Sequence, residues 1–552
     1  MQSGRSFRRT AEILLLGTFA LLILAPVAAL LFEAATPLTH GQSWRTLLGH
    51  DLFANLLATL ELAALTAALS LIAGALLAGL VEATPVRWQQ GLEPLLLGSF
   101  LMPPYLTAVA WSLIAGPVGL WNQVLGHGGL ALAKLLYSLP GMAIVMALHL
   151  TPLVYVMASA ALRGVDHRLI ETAQVHGASP LRARWMAYRP GVAPALLAAT
   201  LLVFLASTEE FGVPKVLGDM AGVQVLSVAV EQALDVWPVN LPRAAGIGLL
   251  LGTLALMIWL LALPLTRMTA TSAQRQAGRV RRWCALPPLL FAVIATGLPL
   301  AAIGVTALQK AVTNGLASGN WTWKHFAQVL TPGDGGLAAL QTSIGLSVGT
   351  SVAGMALAVT GLFILQRFPE RTRRFLEVLG YAPQAIPGVV MATGLILFWN
   401  APGNPLPIYG HVPIIGMAYL ALTLPYALRY AASGLQQVPV GLSQAASVHG
   451  ARPPRVLTQI HLPLAWPHVL AGGAVLFAFC MRELAASILL QPPGTQVIST
   501  YVYAQFDQGN VNDGMALAVV GIASTLLVLI AVRGVVQGLS KTRSAEAPAS
   551  AK

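Results

Sequence analysis

A chain of 552 residues that is 56% hydrophobic and only 9% charged cannot keep a soluble surface wet, and its mean hydropathy of +0.72 excludes an ordinary globular fold. The net charge of +12 sits in short loops between apolar runs, which argues against a nucleic-acid-binding face. With Cys284 and Cys480 as its only cysteines, the chain has no disulfide framework or cysteine-based metal site.

The apolar runs are long enough to cross about 30 Å of hydrocarbon as helix. In chain order they predict twelve spans, at 12–36, 54–82, 92–116, 136–162, 189–211, 244–265, 285–308, 337–365, 375–399, 412–431, 466–490 and 514–536. The expected fold is all-α and polytopic. The first run follows Arg5, Arg8 and Arg9 and lacks a cleavage site, so it reads as a retained helix and not a removed signal. With the N-terminus in the cytosol, 25 Lys and Arg fall in inner loops and tails and six in outer loops, while Arg482 lies within a span. That bias places both termini in the cytosol by the positive-inside rule.

Six spans return the chain to the side it started from, so a duplication gives two parallel six-helix repeats. The halves expected are 1–265 and 285–540, joined by a polar cytosolic linker at 266–284 (Arg267, Gln274, Arg275, Arg279, Arg281, Arg282) and followed by a tail at 541–552. Pro103-Pro104 in the third run and Pro383 with Pro387 in the ninth break helices at roughly matching places. Such kinks can line a pathway, although spans also tolerate prolines with no special role.

The inner loop at 163–189 is punctuated. Asp166 can cap a helix bearing Leu169, Ile170 and Ala173; Gly177 ends it; Pro180 restarts a short helix through Arg182 and Arg184; and Pro190 marks the next span. Val175-His-Gly-Ala-Ser-Pro in this loop recurs 273 residues later as Val448-His-Gly-Ala-Arg-Pro, within the inner loop at 432–465. Arg182, Pro190, Pro194 and Glu210 keep the register with Arg455, Pro463, Pro467 and Glu483. Most loops are plain connections. A structured loop repeated at one register reads instead as a pair of cytosolic knobs that dock a paired partner. His176 and His449 belong to these knobs, where contact with the partner is expected over metal ligation. His40, His50, His127, His325 and His411 lack metal-ligand spacing and read as ordinary outer-loop residues.

Glu209-Glu210 toward the end of the fifth run and Arg482-Glu483 in the eleventh hold equivalent registers. Ionisable groups in a span are costly enough to need a role. One reading pairs Arg482 with Glu209 or Glu210 as a lock or outer gate. Another lines a cation passage with Glu210 and Glu483, oxygen donors that suit a hard ion such as ferric iron. A third leaves them facing water. The outer segment 212–242, with Glu231, Asp235 and Trp237, reads as an amphipathic surface helix or part of a receiving surface for a soluble partner.

These loops resemble the "EAA" loop of importer-type ABC transporter permeases, whose pattern is Glu-Ala-Ala, three residues, Gly, nine residues, Ile-x-Leu-Pro. The second copy offers Gln444-Ala445-Ala446, Gly450 and Ile460-His461-Leu462-Pro463, departing only at Gln444. The first offers Glu171-Thr172-Ala173, Gly177 and Ala187-Tyr188-Arg189-Pro190, and loses the first Ala, the Ile and the Leu. The resemblance implies that Glu171, Ala173 and Gly177, with Ala445, Ala446 and Gly450, form coupling helices for a cytosolic ATPase dimer. No phosphate-binding Gly-x-x-x-x-Gly-Lys-Ser/Thr loop occurs in the chain. The chain is therefore expected to be no enzyme and to bind no cofactor, ATP and magnesium belonging to the partner. A periplasmic solute-binding protein, surrounding membrane lipid and the bacterial inner membrane complete the expected setting, with no nucleic acid.

The stretch Glu209–Gly218, and Arg482–Ala486 with Gln491–Thr495, resemble fused permeases for ferric iron. Thiamine, polyamine and aminoethylphosphonate permeases share much of the pattern, so ferric iron is the first solute expected and these are alternatives. An ion-gradient-driven secondary transporter is the rival of another class, with Glu210 and Glu483 as proton carriers; it leaves the paired knobs unexplained. A membrane enzyme lacks any supporting Ser-His or intramembrane metal constellation.

Overall fold

The computed structural model describes residues 16–39, 49–125, 127–166, 168–268, 282–366, 368–406 and 408–546. The N-terminal arginines, His40, residues 269–281 of the expected linker and residues 547–552 of the tail lie outside the described residues. Among those described, regular structure is helical apart from one antiparallel bridge, Gln309 with Trp321. Among the described residues ten helices are long and apolar enough to cross a membrane, and two bent helix pairs bring the number to twelve if each is one span. The protein is an all-α polytopic membrane protein.

The bent pairs are the third and ninth expected spans. Trp88–Leu101 meets Pro104–Gln123 at 93°, and Glu370–Ala385 meets Gly388–Trp399 at 108°. Proline explains the first break, because Pro103 has no N–H to offer the carbonyl of Ser99 four residues earlier. His149 Nδ1 meets that carbonyl at 2.8 Å from the next span, so the ring supplies the missing donor. Phe100 stacks on the same ring at 5.7 Å. At the second break Pro387 stands as N-cap ahead of the new helix at Gly388.

Two spans differ from the sequence expectation. The helix expected at 189–211 runs unbroken from Pro180 to Glu209, through Pro190 and Pro194. Pro190 therefore marks no boundary, because helices in a membrane re-satisfy the backbone group that a proline frees. The helix expected at 466–490 begins at Pro453, passes through a π turn at Leu457–His461 and stops at Arg482. Each knob thus leads straight into a span, and the charged residues stand at helix ends, not in helix interiors.

The described chain forms two compact units. One comprises 37–325 with 509–516; the other comprises 1–36, 326–508 and 517–552. In the first, Leu52–Glu82, Leu139–Arg163 and Pro180–Glu209 pack closely. A Cβ on Gly74 would lie 2.6 Å from the Val154 side chain, so only glycine permits that approach. Trp283–Leu308 also belongs to this unit, with Thr296 against Gly98. In the second unit, Gly336–Leu365, Pro413–Gln436 and Pro453–Arg482 form the centre. The chain's first helix belongs here, with Phe19 against Gly380 and the Pro26 carbonyl against Gly394. Each sequence half therefore lends its first helix to the bundle built mostly by the other. Both lent helices carry a π turn at the same register, Ala20–Leu24 and Val293–Gly297.

Candidate functional site: twin knobs and twin breaks

The first knob is the helix Arg168–Val175. Asp166 Oδ1 accepts from the Arg168 N–H at 2.9 Å and starts it. Its end is a Schellman closure: Gly177 N–H donates to the Gln174 carbonyl at 2.9 Å and Ala178 N–H to the Ala173 carbonyl at 3.0 Å. Gly177 sits at φ +85°, the left-handed region that glycine enters without steric cost. Ser179 then caps the long helix that follows, accepting from the Arg182 N–H at 3.4 Å.

The second knob, Val440–Val448, ends the same way. Gly450 N–H donates to Ser447 at 3.0 Å, Ala451 N–H donates to Ala446 at 3.0 Å, and Gly450 has φ +78°. Ser443 Oγ and His461 Nε2, 2.8 Å apart, tie this knob to its span. The first copy places Ile170 and Tyr188 at those positions, which cannot repeat the bond in that form.

Neither knob helix contains a buried residue. Glu171, Gln444 and Ala445 are exposed, and Ala173 and Ala446 are half-buried in matching register. Val175 and Val448 are 85% and 84% exposed at the same place in each copy, and Leu181 beside the first is 81% exposed. The same apolar side chain is thus exposed at the same register in both copies.

The charged pairs Glu209-Glu210 and Arg482-Glu483 mark the second repeated device. Glu210 caps Pro180–Glu209 in extended conformation, and its Oε1 accepts from the Gly212 N–H at 2.9 Å. Ser227 Oγ donates to the Glu210 carbonyl at 2.8 Å. In the other unit Glu483 caps the helix ending at Arg482, and its Oε1 accepts from the Ala486 N–H at 2.9 Å. Ser487 and Ser499 donate to its carbonyl at 2.9 and 2.6 Å. Ser227 and Ser499 each follow the first residue of a helix that begins after an extended valine, Val225 or Val497. Thr59 Oγ1 accepts from the Leu226 N–H at 2.9 Å, and Ser343 Oγ from the Ile498 N–H at 2.7 Å. Single hydroxyls spread over distant helices leave no sequence motif, and only the structure gathers them.

Each break after a charged pair seats against the break of the bent span in its own unit. A Cβ on Gly212 would stand 2.8 Å from Tyr105 Cβ and 3.0 Å from its backbone nitrogen. One on Gly388 would stand 3.3 Å from Glu483 Oε1. Gly212→Val should therefore force the two breaks apart at a cost of about 1–3 kcal/mol. The expected result is a lower thermal midpoint of the purified protein, read by scanning fluorimetry; an unchanged midpoint would show that the seating is incidental. Glu209 Oε1 is enclosed without a hydrogen bond, and the Arg482 guanidinium lies 4.4 Å from the Phe479 ring centre.

Lys215, just beyond the first break, is the feature sequence reading missed. Its ammonium meets Glu231 Oε2 at 2.9 Å and Asp219 Oδ2 at 3.5 Å, with Lys215 and Glu231 nearly closed to solvent. Burial pushes the Glu231 carboxyl up and the Lys215 hydrogen bond draws it back. The helix Leu226–Asp235 is folded inward over its first half, with Leu226, Val228 and Val230 buried, which corrects the surface-helix expectation there, whereas residues 235–240 are exposed, Trp237 at 87%. Among the described residues no three His, Cys, Asp or Glu side chains cluster as metal ligands.

Ten unbroken apolar spans and a repeated pair of exposed short helices define a polytopic membrane protein with an internal repeat. Residues 350–544 match the family model described as the binding-protein-dependent transport system inner membrane component. Over those residues the chain is similar to ABC transporter permeases of the binding-protein-dependent kind. It is 28% identical over 246 residues to the protein named as the 2-aminoethylphosphonate transport system permease PhnV of Salmonella typhimurium, covering 44% of this chain and 90% of PhnV. It is 27% identical over 420 residues to a protein named as a ferric transport system permease, FbpB 1 of Haemophilus influenzae, covering 72% of this chain and 64% of that one. It is 25% identical over 451 residues to a protein named as the ABC transporter permease y4fN of Sinorhizobium fredii, covering 75% and 77%. A solved bacterial alginate ABC transporter matches at 18% identity and a TM-score of 0.39, over 46% of this chain and 93% of the matched chain.

Proposed function

We propose that this chain is the whole transmembrane part of an ATP-driven importer, with two permease halves fused in tandem. A separate pair of ATPase subunits, carrying ATP and magnesium, grips the knobs on the cytosolic face. A periplasmic solute-binding protein delivers cargo to the other face, and both termini lie in the cytosol. The observation that carries this reading is the pair of Schellman-closed helices with no buried residue and an exposed valine at one register. Closure of the ATPases would move each knob together with the span that continues from it.

The solute proposed is ferric iron, supported by the FbpB-named relatives, which align over both halves. Glu210 and Glu483 each accept a backbone N–H, which supports a role as fixed helix ends over one as mobile cation ligands. An aminoethylphosphonate solute is the second reading, favoured by the alignment with PhnV across nearly all of that protein.

Reconstituted vesicles separate these ideas. Uptake should require ATP, the ATPase and the binding protein, and an imposed proton gradient alone should give none. Uptake driven by the gradient without ATP would overturn the importer reading. Metal analysis and calorimetry on the binding protein then decide the solute: bound ferric iron supports the first choice, and a phosphonate ligand overturns it.

A further inference from the structure

An apolar groove of about 460 Å³ runs along the second unit between Gly336–Leu365, the span Pro453–Arg482 and the last helix, Val511–Glu546. Its walls include Val352, Met355, Trp466, Gly473 and Val532. Val352 is 66% and Trp466 41% exposed on spanning helices, so the groove opens to lipid. Three hydroxyls line it, and each is already spent on its own helix: Ser351 on Ser347, Thr360 on Ala356 and Thr458 on Pro454. With its lining otherwise apolar, the groove offers water few partners and an acyl chain a continuous apolar wall. Gly473 leaves the floor open, its Cβ position touching only Met355 Cγ at 3.9 Å, whereas the matching position in the first half is Thr200.

Two arginines flank one end of the groove in the chain. Thr360, Leu457, Thr458 and Val532 line the end nearest the second knob, because the three helices bring those residues to the same side. Arg455 lies one turn before Thr458, and Arg533 directly follows Val532; both are exposed, and neither pairs with a carboxylate among the described residues. A dry slot for a hydrocarbon chain with two unpaired guanidinium groups at one mouth matches an anionic phospholipid. Arginine holds the phosphate by charge and directed N–H donors.

We propose that this groove binds one acyl chain of an anionic phospholipid, whose phosphate is held by Arg455 and Arg533 beside the second knob. Placing that lipid in the inner leaflet rests on the orientation proposed above; the binding itself does not. The lipid would buttress the π turn Leu457–His461, the stretch joining knob to span, in the second half alone.

The test is native mass spectrometry of the full chain, stripped of lipid in detergent and then offered dioleoylphosphatidylglycerol or dioleoylphosphatidylcholine. Phosphatidylglycerol should be retained and phosphatidylcholine retained roughly ten- to thirtyfold less, since each arginine near a net-anionic headgroup adds about a factor of five and the choline ammonium cancels the phosphate charge. Arg455→Gln with Arg533→Gln should bring the first lipid down to the level of the second. Gly473→Leu should exclude both by filling the floor. Equal retention of the two lipids by wild type, or unchanged retention in the arginine double variant, overturns the proposal. If Gly473→Leu does not fold, the arginine pair alone decides. Because no step uses ATP or transport, failure here leaves the importer reading untouched, and failure of that reading leaves this result standing.

Discussion

Replacing both Gly177 and Gly450 with valine is expected to abolish ATPase association while the chain still inserts in the membrane. No atom lies within 4 Å of a Cβ built at either position, so the new side chain meets no wall. The cost is conformational. At φ +85° and +78° an L residue loses about 1–2 kcal/mol, and a β-branched one sits at the upper end. The helix would relieve that strain by opening its two closing hydrogen bonds, and the exposed valine at its tip would swing away. For two knobs the penalty is about 2–4 kcal/mol, on the order of 30- to 1000-fold in binding. Co-purification of the ATPase with the tagged permease reads the effect. Asparagine at both positions is the control, since it enters the left-handed region best after glycine and should keep the partner. Normal ATPase recovery with the valine pair would sink the docking assignment.

Lys215→Met is expected to destabilise the first unit by roughly 3–5 kcal/mol, because it strands the enclosed Glu231 carboxylate without its cation. Adding Glu231→Gln should restore much of the loss, since the charge then goes as well. The single variant also predicts a pH effect. Without Lys215, burial acts unopposed and holds the Glu231 pKa above its unfolded value. A group shifted that way favours the folded state fully at low pH and gives up that contribution as pH rises through the folded pKa. Mild acid should therefore raise the thermal midpoint of Lys215→Met more than that of the double variant. Equal midpoints for wild type and Lys215→Met across pH would show that the ion pair contributes nothing.

The spans, their number and the paired knobs were legible because hydropathy and a register-true repeat are local signals. The glycine at each knob's end announced its left-handed cap in the same way. Helix ends were less legible. Pro190 looks like the entry to a span in sequence, yet the helix runs through it and through Pro194, while the true stop at Glu210 coincides with no proline. The seating of Gly212 on Tyr105, the serine bonds to the two glutamate carbonyls and the Lys215–Glu231 pair join residues that sequence holds apart. Their partners are set by how helices pack, and no spacing rule encodes that.

The lending of first helices has a consequence for biogenesis. The helix Leu16–Pro37 finds its resting place against helices made more than three hundred residues later, and the bundle of 37–325 stays incomplete until Trp283–Leu308 appears. Domains are usually finished in the order of synthesis. Here neither bundle can be, so a nascent chain halted near residue 280 holds one orphan helix and one unfilled berth, both open to quality control.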